Sequence, residues 1–250
     1  MKTSIFTIFP DFFPPALAEG MIRAAREKGR LEIAIVPLRD FTDDSHRTTD
    51  DYPFGGGAGM IMKVEPIHRA LRSLGLGEDE SPPGTRVVML SPQGRRLTQS
   101  LAIEYAGLEH LVLICGRYKG VDERVVDYLV DEEVSLGDFI LSGGEPAALC
   151  VLDAVARLLP GVVGTFDSVE SDSFHSGLLD TPYYTRPADY GGWKVPDVLL
   201  SGNHAEIARF RRRQALRRTR ERRPELLEGA ALDPEDLRFL ASLGVRDEDP

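Results

Sequence analysis

From residue 1 to about residue 160, short β-branched runs alternate with stretches of helical character, and no other feature of the sequence narrows the fold as far. The runs at 3–8, 31–36, 86–90 and 111–115, with a weaker one at 134–136, have the length and composition of strands. The segments between them carry helix signals. Pro14 and Pro15 suit a helix start and Lys28-Gly29 its end, Thr98 can cap a second helix through Leu101 and Tyr105, and residues 121–130 form a third. Pro146 opens a fourth that stops before Pro160. Such alternation predicts an α/β fold, with a mostly parallel sheet covered by helices on both faces.

The periodicity dissolves over residues 161–177, a mixture of Val, Gly, Ser, Asp, Glu and Phe that reads as a linker or mobile loop. Past Pro182, Pro187 and Gly191-Gly192 the sequence is helical. Asn203 followed by Glu206 predicts a capping box, and the helix it opens stops before Pro224. The expected organisation is an α/β domain at 1–160, a flexible connector at 161–178 and a smaller helical domain at 179–250.

Of 250 residues 42% are hydrophobic, enough for one large core or two modest ones. No apolar run approaches the ~18–20 residues of a membrane span. Residues 5–9 imitate a secretory signal, but Pro10, Asp11, Pro14 and Pro15 interrupt it. Cys115 and Cys150 have no CxxC or CxxH neighbour and read as small apolar side chains in a reducing compartment, so a cytoplasmic protein without a membrane partner is expected. The net charge of −10 argues at first against a nucleic-acid partner. Phosphates, however, feel the field within ~8–10 Å. Residues 209–223 hold nine arginines and one acid, Glu221, a local +8 that points to an anion-binding face.

Glycine-rich turns are the other chemical signal. The densest, Phe54-Gly55-Gly56-Gly57-Ala58-Gly59, follows Asp50-Asp51-Tyr52-Pro53 rather than a strand, so it fails the context of a dinucleotide fingerprint. It is either a flexible surface loop or a bare backbone, Gly56 and Gly59 included, that a flat base can approach. Three more turns sit where strands end: Ser91-Pro92-Gln93-Gly94, Gly116-Arg117-Tyr118-Lys119-Gly120, and Ser135 through Gly137 to Gly143-Gly144. Each alone is an ordinary turn. Ligands of parallel sheets bind outside the carboxyl ends of the strands, and three such turns converging there predict a pocket of backbone amides and carbonyls.

These turns, with Cys115-Gly116-Arg117-Tyr118, Gly137-Asp138-Phe139-Ile140-Leu141-Ser142-Gly143-Gly144-Glu145, Asp172-Ser173-Phe174 and Ser201-Gly202-Asn203-His204-Ala205-Glu206-Ile207, are similar to the bacterial tRNA (guanine-N1)-methyltransferases of the TrmD family, in the SPOUT superfamily. The similarity runs from Phe9-Pro10 to Arg223-Pro224-Glu225-Leu226-Leu227. It implies a deep trefoil knot in the α/β domain, which pattern alone does not supply because ordinary connections do not thread one another. It implies S-adenosylmethionine bent in that knot, with adenine held by the backbone of Leu136, Gly137, Phe139 and Leu141. Leu90, Pro92, Gly116, Tyr118, Gly143 and Gly144 would line the remainder, and Ser91, Gln93, Gly94, Arg117, Gly120 and Ser135 complete the candidate cofactor set. The substrate implied is the guanine 3′ of the anticodon, position 37 of tRNA, and the implied assembly is a homodimer with shared active sites.

Guanine N1 is a poor nucleophile until its proton is removed. Asp172, in the irregular connector, fits that general-base role, although an unaided reading makes it a solvated loop acid. Charge then builds on O6, and by resemblance Arg157 supplies the stabilising cation; unaided, Arg157 reads as a helix C-terminal charge. The resemblance also implies Mg²⁺, for which the sequence offers no recognisable cage. Lys119 stands where the family usually carries an acid, and Phe54 and Ala58 where Tyr and Pro are common.

For tRNA the candidates are His46 and Arg47, the Gly56 and Gly59 backbone, Asn203, and Arg209, Arg213 and Arg217 on one helical stripe with Arg220. With only Glu221 to pair with, that stripe lacks charge relief, which favours phosphate contact over a solvated helix face. His68, His110 and His204 show no ligand spacing. A ribose 2′-O methyltransferase, a non-catalytic RNA-binding protein and a dinucleotide-dependent oxidoreductase are the competing readings; the Asp172 segment, the glycine turns and the missing fingerprint count against them in turn.

Overall fold

The computed structural model describes residues 1–78, 80–164 and 172–243. The chain divides into two compact units, Met1–Gly164 and Thr165–Pro250.

The first unit holds strands β1 (Lys2–Thr7), β2 (Glu32–Pro37), β3 (Asp50–Asp51), β4 (Ile61–Met62), β5 (Thr85–Arg96), β6 (His110–Cys115), β7 (Gly120–Val121) and β8 (Glu132–Ser135). Its helices are α1 (Pro14–Leu17), α2 (Gly20–Glu27), α3 (Val64–Ser73), α4 (Gln99–Ala106), α5 (Glu123–Leu129) and α6 (Glu145–Ala156). Five strands form one sheet in the order β2-β1-β6-β5-β8, with every pair parallel. Each strand expected from the sequence lies in that sheet, so the α/β class holds. Parallel sheets bury both faces, which explains why β6 is a continuous apolar run rather than an alternating one. On one face Phe6, Val87, Met89, Val112 and Ile114 pack on Ile67, Ala70 and Leu71 of α3 and Val125 of α5. On the other, α6 packs on β6, α2 and α4. Each fully buried Leu, Ile or Val contributes about 1.5–3 kcal/mol, so this two-sided core fixes the strand ends that position the loops.

Several expectations change in detail. The segment after Pro14-Pro15 is two helices, because Ala18 leaves the helical region and Gly20 takes φ +61° at the start of α2. Thr98 caps α4 as expected, its hydroxyl accepting from the Leu101 amide at 3.3 Å. The third helix begins at Glu123, after Asp122 accepts from the Arg124 amide at 3.1 Å. Helix α3 had no expectation attached to it.

The most consequential difference concerns Ser91-Pro92-Gln93-Gly94. It does not end a strand but bulges from the middle of β5: Leu90 and Arg95 both face Val134 of β8, with four residues looped out between them. Gly94 permits the return, since a Cβ there would overlap the backbone of Glu133 and Val134. Arg95 holds it, pairing with Glu132 at 2.6 Å and Glu104 at 3.3 Å, while the Tyr105 hydroxyl donates to Glu132 at 3.0 Å. Burial and that carboxylate push the Tyr105 phenol far up, so it remains a donor.

In the second unit a two-strand hairpin, β9 (Asp189–Tyr190) and β10 (Trp193–Lys194), precedes α7 (Asp197–Leu200), α8 (His204–Arg222) and α9 (Pro234–Ser242). Asn203 caps α8, accepting from the Glu206 amide at 3.3 Å; the reciprocal half of the expected box is present instead at α9, between Asp233 and Asp236. Of the expected connector, residues 165–171 lie outside the described residues. Among the described residues no helix is long and apolar enough to cross a membrane.

Candidate functional site

A cavity of about 390 Å³ opens beside the bulge of β5 and outside the carboxyl ends of β6 and β8. Three walls make it. Leu90, Ser91, Pro92 and Gln93 of the β5 bulge form one, and Gly116, Arg117, Tyr118 and Gly120 after β6 another. The third is Ser135, Leu136, Gly137, Phe139, Leu141, Gly143 and Gly144, between β8 and α6. The sequence-derived set therefore converges on one cavity, with one exception. Gly94 stands behind it, against the β8 backbone. Lys119 and Ile140, within the expected turns, also line it, and Ile61, Val121 and Glu123 do so unanticipated.

Backbone contact between two walls closes the cavity. The Gly144 amide donates to the Gly116 carbonyl at 2.9 Å, and Arg117 bridges to Gly143. A Cβ on Gly144 would stand 2.7 Å from the Cys115 Cα, and one on Gly143 would overlap the Arg117 side chain. These are close-approach glycines, needed for space. Gly137, at φ +152°, is needed instead for its backbone conformation.

Arg117 lines the cavity and also serves a structural pairing that the sequence did not suggest. Its guanidinium reaches Glu145 through Nε and Nη2, both at 2.8 Å, gives a further hydrogen bond to the Ser142 carbonyl at 3.2 Å, and lies 4.4 Å over the Phe9 ring. Glu145 is fully buried, and the Thr7 hydroxyl donates to its other oxygen at 2.7 Å. This network ties β1, the turn after β6 and the start of α6 together behind the cavity. Sequence reasoning quoted Glu145 without giving it a role; its place in the first turn of a helix was the available signal. The same carboxylate, after burial itself, pushes the Cys115 thiol up and keeps it inert.

Tyr118 takes φ +62° and is half-exposed. Burial, then the Asp50 carboxylate, pushes its phenol up, and the phenol hydrogen-bonds that carboxylate. The glycine loop is the turn between antiparallel β3 and β4, and β4 pairs with β7 directly after Lys119. Gly55, Gly56, Gly57 and Gly59 all take positive φ, and a Cβ on Gly59 would stand 3.3 Å from that of Lys119. His46 is exposed; Arg47 ion-pairs with Asp40 and donates to the Arg39 carbonyl at 3.2 Å.

Arg157 closes α6 as its C-cap residue and is half-buried. Asp172 belongs to the second unit, half-buried at a turn where its carbonyl accepts from the His175 amide at 3.3 Å.

The arginine stripe requires a correction. Arg213 pairs with Glu235 at 3.3 Å and lies 5.4 Å over the Phe239 ring, Arg217 lies 6.0 Å over the same ring, and Arg220 donates to the Leu240 carbonyl at 2.6 Å. Arg209 pairs with Glu206 at 3.7 Å, and Arg212 with the buried Asp236 at 2.6 Å. Charge relief is therefore ample on this face. For Arg209 it comes from Glu206 in the first turn of the same helix, and for the others from α9, about twenty residues further along the chain, which helical spacing within α8 does not reveal.

An α/β unit whose parallel strands end in a backbone-lined cavity, on a chain with an arginine-rich helix in its second unit, defines a class of ligand-binding proteins with a basic appendage. The particular family follows from comparison. A family model described as tRNA (Guanine-1)-methyltransferase TrmD matches residues 1–229, and the chain belongs to that family. It is 50% identical over 240 residues to the tRNA (guanine-N(1)-)-methyltransferase of Geobacillus kaustophilus, covering 96% of this chain and 97% of the relative. The protein of the same name from Moorella thermoacetica is 50% identical over 247 residues, covering 99% and 98%. That from Deinococcus deserti is 50% identical over 246 residues, covering 98% and 89%.

Proposed function

We propose that this protein transfers a methyl group from S-adenosylmethionine to N1 of a guanine in tRNA, the base 3′ of the anticodon at position 37. The observation that carries the reading is the cavity of the first unit, in a chain similar over nearly its whole length to proteins named for this reaction. The residues present fit the donor. Bare backbone at Gly116, Gly137, Gly143 and Gly144 offers amides and carbonyls to an adenine edge, and exposed Phe139, Ile140 and Leu141 offer apolar cover at the rim. When bound, S-adenosylmethionine supplies an electrophilic methyl group on sulfur. The protein's share is to hold that donor and the base in line and to move one proton. Asp172 takes the proton from N1, and Arg157 stabilises the charge that develops on O6.

The residues described do not fit a protein-held Mg²⁺. Among them no three His, Cys, Asp or Glu side chains converge, and Lys119 brings an ammonium group to the cavity wall. No step here passes through the metal.

The deep knot belongs to the same proposal. It is supported by the looped-out bulge of β5 and by the start of α6 pressed against the turn after β6. So do a connector at 161–178, a tRNA-binding second unit, a homodimer that completes each site, and a cytoplasmic location. The test is methylation of unfractionated tRNA followed by nucleoside mass analysis. 1-Methylguanosine is expected; 2′-O-methylated ribose, or no methylated guanine, overturns the reading.

A further inference from the structure

The nine arginines of residues 209–223 do not act as one face. At about 100° per residue, Arg209, Arg213, Arg217 and Arg220 cluster on one side of α8 and Arg211, Arg218 and Arg222 on the opposite side, within about 40° of one another. The first group is engaged by Glu206, by α9 and by the Phe239 ring. Among the described residues no acid lies in salt-bridge distance of the second group. The second group leads into a cleft of about 330 Å³, lined by Tyr183, Tyr184, Arg186, Leu199, Leu200 and Arg211 among others. Tyr183 is 62% and Tyr184 50% exposed, far more than aromatic side chains in a core. The Arg211 guanidinium lies 5.9 Å over the Tyr183 ring, and the Tyr183 hydroxyl donates to Asp180 at 3.2 Å. Ala188 and Val195, whose carbonyl and amide join at 2.9 Å at the base of the hairpin β9–β10, line the cleft, and the adjoining hairpin carries exposed Tyr190 and Trp193 with rings 6.0 Å apart.

Aromatic planes beside unpaired guanidinium groups are how proteins hold unstacked nucleotides. The ring takes the base, and the cations take the phosphates on either side. We propose that this cleft accepts an unpaired base of the substrate tRNA, stacked on Tyr184 and Tyr183, while the adjoining phosphates run along Arg211, Arg218 and Arg222. The inference rests on the tRNA reading above and assigns its contact surface to the face of α8 opposite the one that sequence spacing selected.

The experiment uses the full chain and an unmodified tRNA transcript with guanine 3′ of the anticodon. Formation of 1-methylguanosine is verified first, since its absence overturns the functional reading rather than this one. Tyr184→Ala is expected to raise KM for tRNA roughly tenfold, with the effect on KM rather than kcat and on tRNA rather than S-adenosylmethionine, and Tyr184→Phe to restore most of the affinity. Changing Arg218 and Arg222 together to Gln is expected to flatten the salt dependence of log K by about 1.5. Trp193 is the single tryptophan of the chain, so its emission reports RNA on the hairpin directly. Unchanged KM, unchanged emission at saturating tRNA, or an unchanged slope overturns the proposal. So does a Tyr184→Ala chain whose sedimentation changes while its tRNA affinity does not, since the cleft then belongs to a second copy of this chain.

Discussion

The two units present their chemistry in opposite ways. The cavity of the first is made largely of backbone: the glycine at 144 lets two threads of chain approach closely, the glycine at 143 leaves room for the Arg117 side chain, and the charge of Arg117 is neutralised by the buried Glu145. The second unit presents side chains, arginines and aromatic rings on α8 and a short hairpin, with few groups buried around them. A backbone surface is fixed by packing, so altering it costs stability and binding together. A side-chain surface is fixed by helical phase, so altering it changes affinity and leaves the fold. The first therefore suits one rigid small molecule, and the second a long polyanion.

That contrast can be broken in several places. The largest effect is expected at Glu145. Replacing it with Ala leaves the Arg117 guanidinium without its carboxylate in a buried site, and unfolding of the first unit, followed by thermal denaturation, should become easier by about 3–5 kcal/mol. A stability within about 1 kcal/mol of the unchanged protein would show the pair to be dispensable. Next, Asp172→Asn should lower turnover at least ~100-fold, about 2.7 kcal/mol of barrier, while calorimetry shows S-adenosylmethionine still bound. Near-normal turnover removes Asp172 from the base role. Gly94→Ala should cost about 1–3 kcal/mol through overlap with the β8 backbone, and it should weaken donor binding although Gly94 does not line the cavity. Retained affinity would separate the bulge from the site.

The smallest effect is one of pH. The hydrogen bond from Arg212 first, helped by the Asp233 amide, holds the Asp236 carboxyl below its ordinary value of 3.8. A depressed pKa contributes stability above that ordinary value and loses it as pH falls through the folded one, so the α8–α9 pair should weaken on acidification below about pH 4. Asp236→Asn should remove that dependence. Helicity of the second unit that titrates identically in both chains would place the acid sensitivity elsewhere.

Much of this was legible beforehand because it is local. Every strand of the parallel sheet announced itself by a β-branched run, and the cap at Thr98 was readable from one residue. Helix α3 was legible but unread: Val64, Ile67, Ala70 and Leu71 carry a helical period on a segment flanked by loops. The three turns of the cavity were found by type and position, and the structure brings them together. Two errors share one cause. Ser91-Pro92-Gln93-Gly94 looked like the end of a strand because nothing within β5 says that β8 will receive Arg95 after the bulge. Arg213 and Arg217 looked unrelieved because their partners Glu235 and Phe239 sit on another helix.

By itself the sequence determined the class of fold, the turns that line the cavity, and the residue types in them, since hydrophobic period and turn chemistry are properties of neighbours along the chain. Only the tertiary structure decided which glycines serve close approach rather than conformation, which arginines find partners on another helix, and what Glu145 does. Each of those depends on a group far away in sequence: a Cβ is excluded, or a charge neutralised, by whatever chain segment the fold brings against it.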